Sequence, residues 1–365
     1  MNVIQTGSDH KPRGTDDAGT HPGATMRAAA YRRFGGPEVV RLEEVPRPSP
    51  RPDEVLIRVH ASTLSAADRR ARSRTVPAGL QVPTALALGV FRPRRRILGM
   101  DVAGVVEATG SDVSKFKVGD EVVAMLGSNF GGHAEYVAVR QDGPITAKPR
   151  TMNFAEAVTL VFGGLPAQRF LALADVEPGD TVLINGASGA VGTAAVQLAK
   201  HLGAQVTAVC SGGNSGLVAS LGADHVIDYT AEDFTARGQR YDVIMDCVGN
   251  APFSRVAGSL KPGGALLLVV ADLKGMLQAP GNGRRSGTLV TAGDLRLNYT
   301  AEDLAALVRL AESGHYKAVI DRTYPLTEIV QAHRFVDTGR KKGNVIVQIT
   351  SGSPEPLNVL KQTPA

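Results

Sequence analysis

The stretch 185–192, Asn-Gly-Ala-Ser-Gly-Ala-Val-Gly, stands between an apolar strand at residues 181–184 and a helix predicted over residues 191–202. A second strand is predicted at residues 205–209, so the three elements have the length of a parallel βαβ crossover. A glycine-rich turn at this place lets backbone N–H groups approach a pyrophosphate at the positive end of a helix. The stretch therefore predicts a dinucleotide site.

The glycine pattern alone is a weak signal, because the turn reads Ala-x-Gly-x-x-Gly and the chain has 41 glycines. A tight β–α turn without a ligand is the alternative interpretation. The order of strand, turn, helix and strand favours the nucleotide site.

The end of the second strand bears on the choice of cofactor. Residues 209–214 contain no carboxylate that would hold the 2′-hydroxyl of NAD. Ser211 and Asn214 can donate hydrogen bonds to a 2′-phosphate, which favours NADP(H) over NAD(H). The loop carries no Arg or Lys, and a loop with no cofactor role is the other interpretation.

Composition limits the class of protein. The 365 residues carry a net charge of +5, and arginines cluster at 69–74 and 92–96. We interpret these clusters as a solvated face, with an anionic ligand or a subunit contact as the alternative, and expect no nucleic-acid partner because aromatics are not interleaved. The chain has two cysteines, no signal peptide and no apolar run of membrane length, so we expect a cytoplasmic protein with no membrane partner.

The chain divides by its pattern. Residues 1–25 are polar and are expected to form a disordered extension, and residues 351–365 a flexible tail. Closely spaced strands before residue 153 predict a barrel-like sheet. Strands and helices alternate after it, which predicts a parallel sheet covered by helices on both faces.

Several motifs together resemble a known family. They include residues 99–104, 118–122, 132–136, 184–200, 221–224, 241–249, 261–264 and 339–347. On these residues the chain resembles the zinc-independent medium-chain dehydrogenase/reductases, in the quinone reductase and enoyl reductase branch. The resemblance implies an α/β fold with a GroES-like β-rich catalytic domain at 26–152 and 300–350, and a Rossmann doubly wound parallel-sheet domain at 153–299.

The resemblance also implies that no metal is bound. Zinc-dependent relatives place a cysteine where Ser65 stands, a His-Glu pair at Met100-Asp101, and a third ligand near Phe162. Methionine and phenylalanine are not zinc ligands, and a lone serine is a poor one.

The cofactor residues that the resemblance implies lie mostly in the second domain. The turn would hold the pyrophosphate, Ser211 and Asn214 the 2′-phosphate, and Tyr229 and Val248 the adenosine half, with the carboxamide at Val269 and Val270 and the nicotinamide half at Asn344. The turn residues are Ser188, Gly189, Ala190, Val191 and Gly192. Core packing is an additional role for the valines.

Two side chains are candidates for catalysis. Ser65 would donate to a developing oxyanion, unless its hydroxyl bonds the local backbone. His133 would supply a proton, unless it is a surface loop histidine. Two residues depart from the family pattern: Arg70 replaces a tyrosine found two residues after Asp68, and Pro166 replaces a threonine.

The leading functional hypothesis is an NADPH-dependent enzyme that transfers a hydride to an activated C=C bond or a quinone. A zinc-free carbonyl or alcohol oxidoreductase is the second hypothesis, and an NADPH-binding sensor without turnover is the third. The partner is a small-molecule enone or quinone that the sequence does not identify. A homodimer is expected from the family, through residues 265–270 and 287–291.

Overall fold

The computed structural model describes residues 23–292 and 298–350. The first strand begins at Thr25. The extension predicted at 1–25 lies outside the described residues over 1–22, and its last residue, Thr25, is already in this strand. The tail predicted at 351–365 lies entirely outside the described residues.

The described residues form fifteen strands and ten α-helices, numbered separately in chain order. The strands are β1 Thr25–Tyr31, β2 Val40–Pro46, β3 Glu54–Thr63, β4 Asp101–Thr109, β5 Glu121–Met125, β6 Tyr136–Arg140, β7 Ile145–Ala147, β8 Thr181–Asn185, β9 Gln205–Cys210, β10 His225–Asp228, β11 Tyr241–Asp246, β12 Leu260–Leu268, β13 Leu289–Ala292, β14 Ile320–Pro325 and β15 Asn344–Gln348. The helices are α1 Ala66–Ser73, α2 Gln81–Leu88, α3 Phe154–Ala157, α4 Leu165–Leu173, α5 Ala190–His201, α6 Ser215–Ser220, α7 Phe253–Val256, α8 Leu273–Ser286, α9 Ala301–Glu312 and α10 Ile329–Asp337.

The β-rich part contains a sheet in the order β14-β15-β3-β4-β5-β7, with β6 also paired to β3 and a separate β1–β2 hairpin. Strand β3 is bordered on both sides because its segments pair with β4, β6 and β15. Its inward side chains, such as Val55, Ile57 and Val59, are fully buried. The return of β15 to this sheet brings the end of the described chain back to the β-rich part.

The second sheet is parallel and has the order β10-β9-β8-β11-β12-β13. This strand order is that of a Rossmann fold. From β8 the chain adds strands first in one direction, to β9 and β10, and then in the other, to β11, β12 and β13. The register places Asn185, the last residue of β8, opposite Asp246, the last residue of β11. The switch point of the sheet is therefore at the carboxyl ends of these two strands, where ligands bind in doubly wound folds.

The segment that leads from the β-rich part into the parallel sheet is not a regular α-helix. Helix α3 ends at Ala157, and a π-helical turn, Leu160–Gly164, leads into α4. A Cβ on Gly163 would lie 2.9 Å from the carbonyl oxygen of Ala190. The wider turn lets this segment lie directly against the start of α5, which the apolar periodicity could not indicate.

Helix α9 is relevant to the proposed division of the chain. It follows the boundary at residue 300, yet Leu304 and Leu307 are fully buried in the same cluster as Val182 and Ile184 of the parallel sheet. Sheet membership supports assigning β14 and β15 to the catalytic part. The boundaries at 152 and 300 stay a prediction.

Candidate functional site

The glycine-rich turn joins β8 to α5 in a tightly packed conformation. Gly186 has φ of +82°, which a residue with a side chain rarely adopts. A Cβ on Gly192 would lie 2.7 Å from the Cα of Ala187 and closer still to the Gly186 carbonyl oxygen. The helix therefore begins directly against the strand end only because glycine stands at 192.

The N-terminus of α5 has open hydrogen-bond donors. The first N–H groups of a helix have no partner within it, and the N-cap, Gly189, has no side chain that could accept them. Residues 188–192 all line a cleft of about 950 Å³ at the switch point. This arrangement fits a pyrophosphate, because amide donors and the helix dipole point to the same space.

The cleft contains most of the cofactor residues predicted from the sequence. Tyr229 is 63% exposed at its wall and Val248 is 48% exposed. Val269 and Val270, after β12, also line it. These residues extend from the turn along the strand ends, as a dinucleotide lying across the sheet requires.

The other three predicted cofactor residues are not among the residues that line this cleft. The Nδ2 of Asn214 is 3.1 Å from both Ser211 Oγ and Ser188 Oγ, so this loop is bonded to the turn. Asn344 is 3% exposed, and its Nδ2 donates to the Val319 carbonyl at 3.2 Å. Beside it, the Gly343 N–H donates to the Ser188 carbonyl at 2.8 Å.

An acidic residue stands close to the loop predicted to bind the 2′-phosphate. Asp228 ends β10, next to the end of β9, and accepts hydrogen bonds from the N–H and Oγ1 of Thr230. A Cβ on Gly212 would nearly touch its carboxylate. Hydrogen bonding by Thr230 lowers the pKa of Asp228, so the group is charged at neutral pH. A 2′-phosphate bound at the predicted residues Ser211 and Asn214 would therefore lie near a negative charge.

Asp246 shapes the wall opposite the turn. It is fully buried, and its oxygens accept the N–H groups of Val248, Gly249 and Ala251 and the Nδ2 of Asn185, at 2.9–3.1 Å. These bonds fix the loop after β11 that carries Val248. The carboxylate of Asp246 therefore has a structural role in this wall.

Ser65, a predicted catalytic residue, caps helix α1. Its Oγ donates to Asp68 Oδ2 at 2.6 Å and accepts from the Asp68 N–H at 3.2 Å, in a capping box. Asp68 also accepts the Gly99 N–H at 2.9 Å. Ser65 is 3% exposed and is not part of the cleft wall, in keeping with the local-bonding interpretation.

His133, the other predicted catalytic residue, is fully buried rather than on a surface loop. Its Nε2 is 3.0 Å from the Thr63 carbonyl, and its Nδ1 has no partner. Its ring is 6.5 Å from that of His333, and neither residue is in the cleft wall.

The residues at the positions of the zinc ligands of zinc-dependent relatives include Asp101, which makes hydrogen bonds within the protein. Asp101 is fully buried and accepts the N–H and Oγ1 of Thr63 at 2.7 and 2.6 Å. Burial raises the pKa of Asp101 to about 7. Within residues 23–292 and 298–350, no group of three or more His, Cys, Asp or Glu side chains is arranged to hold a metal ion.

A second cavity, of about 510 Å³, adjoins the cofactor cleft. It lies between the segment after α1 and the start of α8, and the Leu273 N–H donates to the Ala78 carbonyl at 3.0 Å between them. Arg69, Arg70, Val248 and Val270 line both spaces. The volume suits a small organic molecule placed beside the predicted carboxamide site.

The cleft lining contains four cationic side chains that were not predicted as site residues from the sequence: Arg69, Arg70, Arg255 and Lys341. The sequence analysis named Arg70 only as the residue that replaces a tyrosine of the family pattern. Lys341 lies in the matching motif 339–347, in which only Asn344 was predicted to contact the cofactor. The Lys341 Nζ donates to the Gly343 carbonyl at 2.7 Å, and burial lowers its pKa to about 8. The signal available in the sequence was the Arg-Lys-Lys run before Gly343.

Comparison with known proteins agrees with this geometry. Residues 51–150 match the family described as Alcohol dehydrogenase GroES-like domain, and residues 221–347 match that described as Zinc-binding dehydrogenase. A chloroplastic quinone-oxidoreductase of Triphysaria versicolor is 34% identical, covering 89% of this chain and 99% of the relative. The chloroplastic NADPH-dependent alkenal/one oxidoreductase of Arabidopsis thaliana is 31% identical, covering 88% of this chain and 79% of the relative.

Among solved structures, the quinone oxidoreductase from Coxiella burnetii superposes with a TM-score of 0.79 at 29% identity, covering 90% of this chain and all of that one. The fold, the cleft at the switch point and the matching relatives agree on one family. The chain belongs to the medium-chain dehydrogenase/reductase superfamily, in its zinc-independent quinone reductase and enoyl reductase branch.

Proposed function

We propose that the chain is an NADPH-dependent reductase of activated C=C bonds or quinones. The observation that carries the proposal is that a dinucleotide cleft and a smaller cavity share Val248 and Val270 in their walls. A hydride acceptor in the smaller cavity would lie beside the nicotinamide. The relatives named for quinone and alkenal/one reduction support this assignment.

The residues of the cleft provide binding and orientation. When bound, the reduced nicotinamide supplies a hydride to an activated carbon. The amides at the start of α5 would hold the pyrophosphate, Tyr229 would pack beside the adenosine half, and Val269 and Val270 would line the carboxamide site. Asp246 keeps the opposite wall in place. The wall would thereby hold the nicotinamide and the acceptor in one relative position and partly exclude water.

Hydride addition to an enone places negative charge on the carbonyl oxygen, and the product then needs one proton. Because Ser65 and His133 are buried and outside the cleft wall, we propose that water entering the cleft supplies this proton. Ser65 then acts by capping α1, the helix that carries Arg70 into the cavity wall. A direct role of Ser65 or His133 stays a prediction, which Ser65→Ala and His133→Asn variants test by their kcat with saturating acceptor.

We propose NADP(H) as the preferred cofactor, supported by the small polar residues Ser211 and Asn214 and by the Arabidopsis relative's name. No metal takes part in this proposal, because Ser65, Met100 and Phe162 do not provide a zinc ligand set. Stoichiometric zinc in the purified protein, measured by elemental analysis and needed for turnover, would contradict it.

Strand β13 supports a homodimer. It pairs with β12 on one side, and among the described residues no strand pairs with its other edge. An open edge is a template for a second chain. Light scattering at micromolar concentration should give twice the chain mass, and a Val290→Pro variant should give the monomer mass.

The membrane and compartment expectations remain separate from the reaction. No helix in the described part of the chain is long and apolar enough to cross a membrane. Both curated relatives named above are chloroplastic, so a cytoplasmic location stays a prediction.

NADPH oxidation followed at 340 nm with a panel of enones, quinones, aldehydes and ketones tests the reaction. We expect turnover of the conjugated acceptors and little with the simple carbonyl compounds. The reverse preference would favour the carbonyl or alcohol oxidoreductase. Tight NADPH binding without oxidation by any acceptor would favour the sensor.

A further inference from the structure

Arg70 occupies the wall between the two cavities. It lies on α1, and its side chain lines both the cofactor cleft and the smaller cavity. The residue is half-buried. It therefore stands next to the predicted carboxamide site at Val270, where an acceptor must approach.

Arg70 differs from its charged neighbours because it has no partner. Within the described residues it makes no hydrogen bond or ion pair, whereas Arg69 and Arg72 both pair with Asp337, at 3.5 and 2.6 Å. Burial, followed by the charge of Arg69, lowers the pKa of the Arg70 guanidinium. The fold thus keeps a cation in the wall without neutralising it.

The carboxylates in these walls are already used. Asp246 accepts backbone N–H groups, Asp272 caps α8, and Asp233 pairs with Arg255 at 3.1 Å. Glu232 pairs with Arg237. Among the described residues, none of these carboxylates pairs with Arg70.

A half-buried guanidinium without a partner is costly unless a ligand completes it. A planar guanidinium binds carboxylates through two parallel N–H donors, which makes it selective for that group. We propose that Arg70 is the anion-binding residue of the acceptor cavity, and that the preferred acceptors are conjugated molecules bearing a carboxylate. This inference rests on the proposed reductase function and specifies its substrate class.

The location of Arg70 favours the acceptor over the cofactor as the source of the anion. The smaller cavity includes no residue of the turn at 188–192, and that turn supplies its own amide donors to the pyrophosphate. Apart from Arg69, Arg70 and the two carboxylates that accept backbone N–H groups, Asp246 and Asp272, most of its wall is apolar, with groups such as Val76, Pro77 and Leu268. A compact apolar acceptor with one negative end matches this surface.

The test compares 4-oxo-2-pentenoate with its methyl ester, which has the same C=C bond without the charge. In the wild type we expect kcat/KM to be at least about 10-fold higher for the carboxylate. Arg70→Gln should reduce this ratio by about 10- to 100-fold, the range of a charge-assisted hydrogen bond, and Arg70→Lys should retain part of it. The control, Arg33→Gln, removes the charge of an exposed arginine and should leave the ratio unchanged.

A binding measurement separates this inference from the function on which it rests. Calorimetry on the NADP⁺ complex would compare 4-oxopentanoate, which is not reducible at a C=C bond, with its methyl ester. Tighter binding of the carboxylate that is lost in Arg70→Gln supports the inference even if no acceptor is turned over, and the absence of turnover then contradicts the proposed function alone.

Two results would overturn the inference. One is an equal preference for acid and ester in the wild type while neutral enones or quinones are reduced. The other is an Arg70→Gln variant in which the ratio of kcat/KM for acid and ester is unchanged while NADPH affinity falls by about 10- to 100-fold, the loss expected for that ratio. Arg70 would then be a cofactor contact.

Discussion

The turn at 186–192 and the cavity beside Arg70 lie at the same cleft but are built differently. The turn is made of backbone, with Gly192 so close to Ala187 that no side chain fits. The acceptor cavity is made of side chains from two distant segments, joined by the bond from Leu273 to Ala78. Cofactor recognition is therefore a property of local geometry, and acceptor recognition is a property of which side chains the fold brings together.

This difference teaches where variation is tolerated. A change in the turn moves the helix start and affects every cofactor contact at once. A change in the acceptor wall alters one contact and leaves the hydride carrier in place. The predictions below test this contrast, starting with the largest effect.

Gly192→Ala should weaken NADPH binding by about 100-fold, because a Cβ there meets backbone atoms that cannot move independently. Calorimetric titration gives the dissociation constant. The matched control is Gly216→Ala in α6, where a Cβ meets nothing within 4 Å, and its affinity should stay within about twofold. Equal affinities in the two variants would contradict the role assigned to the turn.

Replacing Ser211 and Asn214 together by alanine should lower the preference for NADPH over NADH by about 10-fold. The reason is the loss of neutral donors to the 2′-phosphate, next to the Asp228 carboxylate. The readout is the ratio of the two dissociation constants, and Ser220→Ala, an exposed serine on α6, is the control. A wild type that binds NADH as tightly as NADPH would remove the basis for this assignment.

Lys341 predicts a pH dependence of cofactor binding. Its pKa is about 8, so the free protein carries the charge below pH 8 and loses it above. An anionic cofactor favours the charged form, and affinity should be constant below pH 8 and fall by up to about 10-fold per pH unit above it. Lys341→Met should bind more weakly below pH 8 and show no such fall. A wild-type affinity independent of pH from 7 to 9.5 would contradict this.

Asp101 predicts an effect on stability with little effect at the cleft. Its pKa in the folded protein is about 7, against 3.8 in the unfolded chain, so the folded state binds more protons between these values. Stability from this group therefore falls as pH rises from 3.8 to 7. At pH 8, Asp101→Asn should be more stable relative to wild type than at pH 5, by roughly 1–3 kcal/mol. Urea unfolding of both proteins at both pH values measures the free-energy difference between variant and wild type. A variant whose stability relative to wild type is lower at pH 8 than at pH 5 would contradict the prediction.

Local sequence features predicted the nucleotide half well. The turn, α5 and the parallel strands follow from glycine positions and apolar runs that act within a few residues. The acceptor half was harder. Helices α1, α2 and α8 were not predicted, because α2 has no buried residue and α8 contains Pro280.

The candidate site shows the same limit. Ser65 stands in the position expected from the resemblance, but its hydroxyl bonds Asp68, three residues away, which local capping chemistry could have indicated. The absence of a partner for Arg70 depends on distant pairs such as Arg72 with Asp337. Pairings across 265 residues of chain cannot be read from spacing.

The central claim is hydride transfer to a conjugated acceptor without a metal. The most direct test is a single turnover of [4,4-²H₂]NADPH with 3-penten-2-one and with a quinone. The protein is first shown by elemental analysis to be metal-free, and the products are analysed by NMR. The account predicts reduction of at least one acceptor, with the deuterium of the enone product on the carbon β to the carbonyl group. Deuterium on the carbonyl carbon, or no reduction of either acceptor, would contradict it.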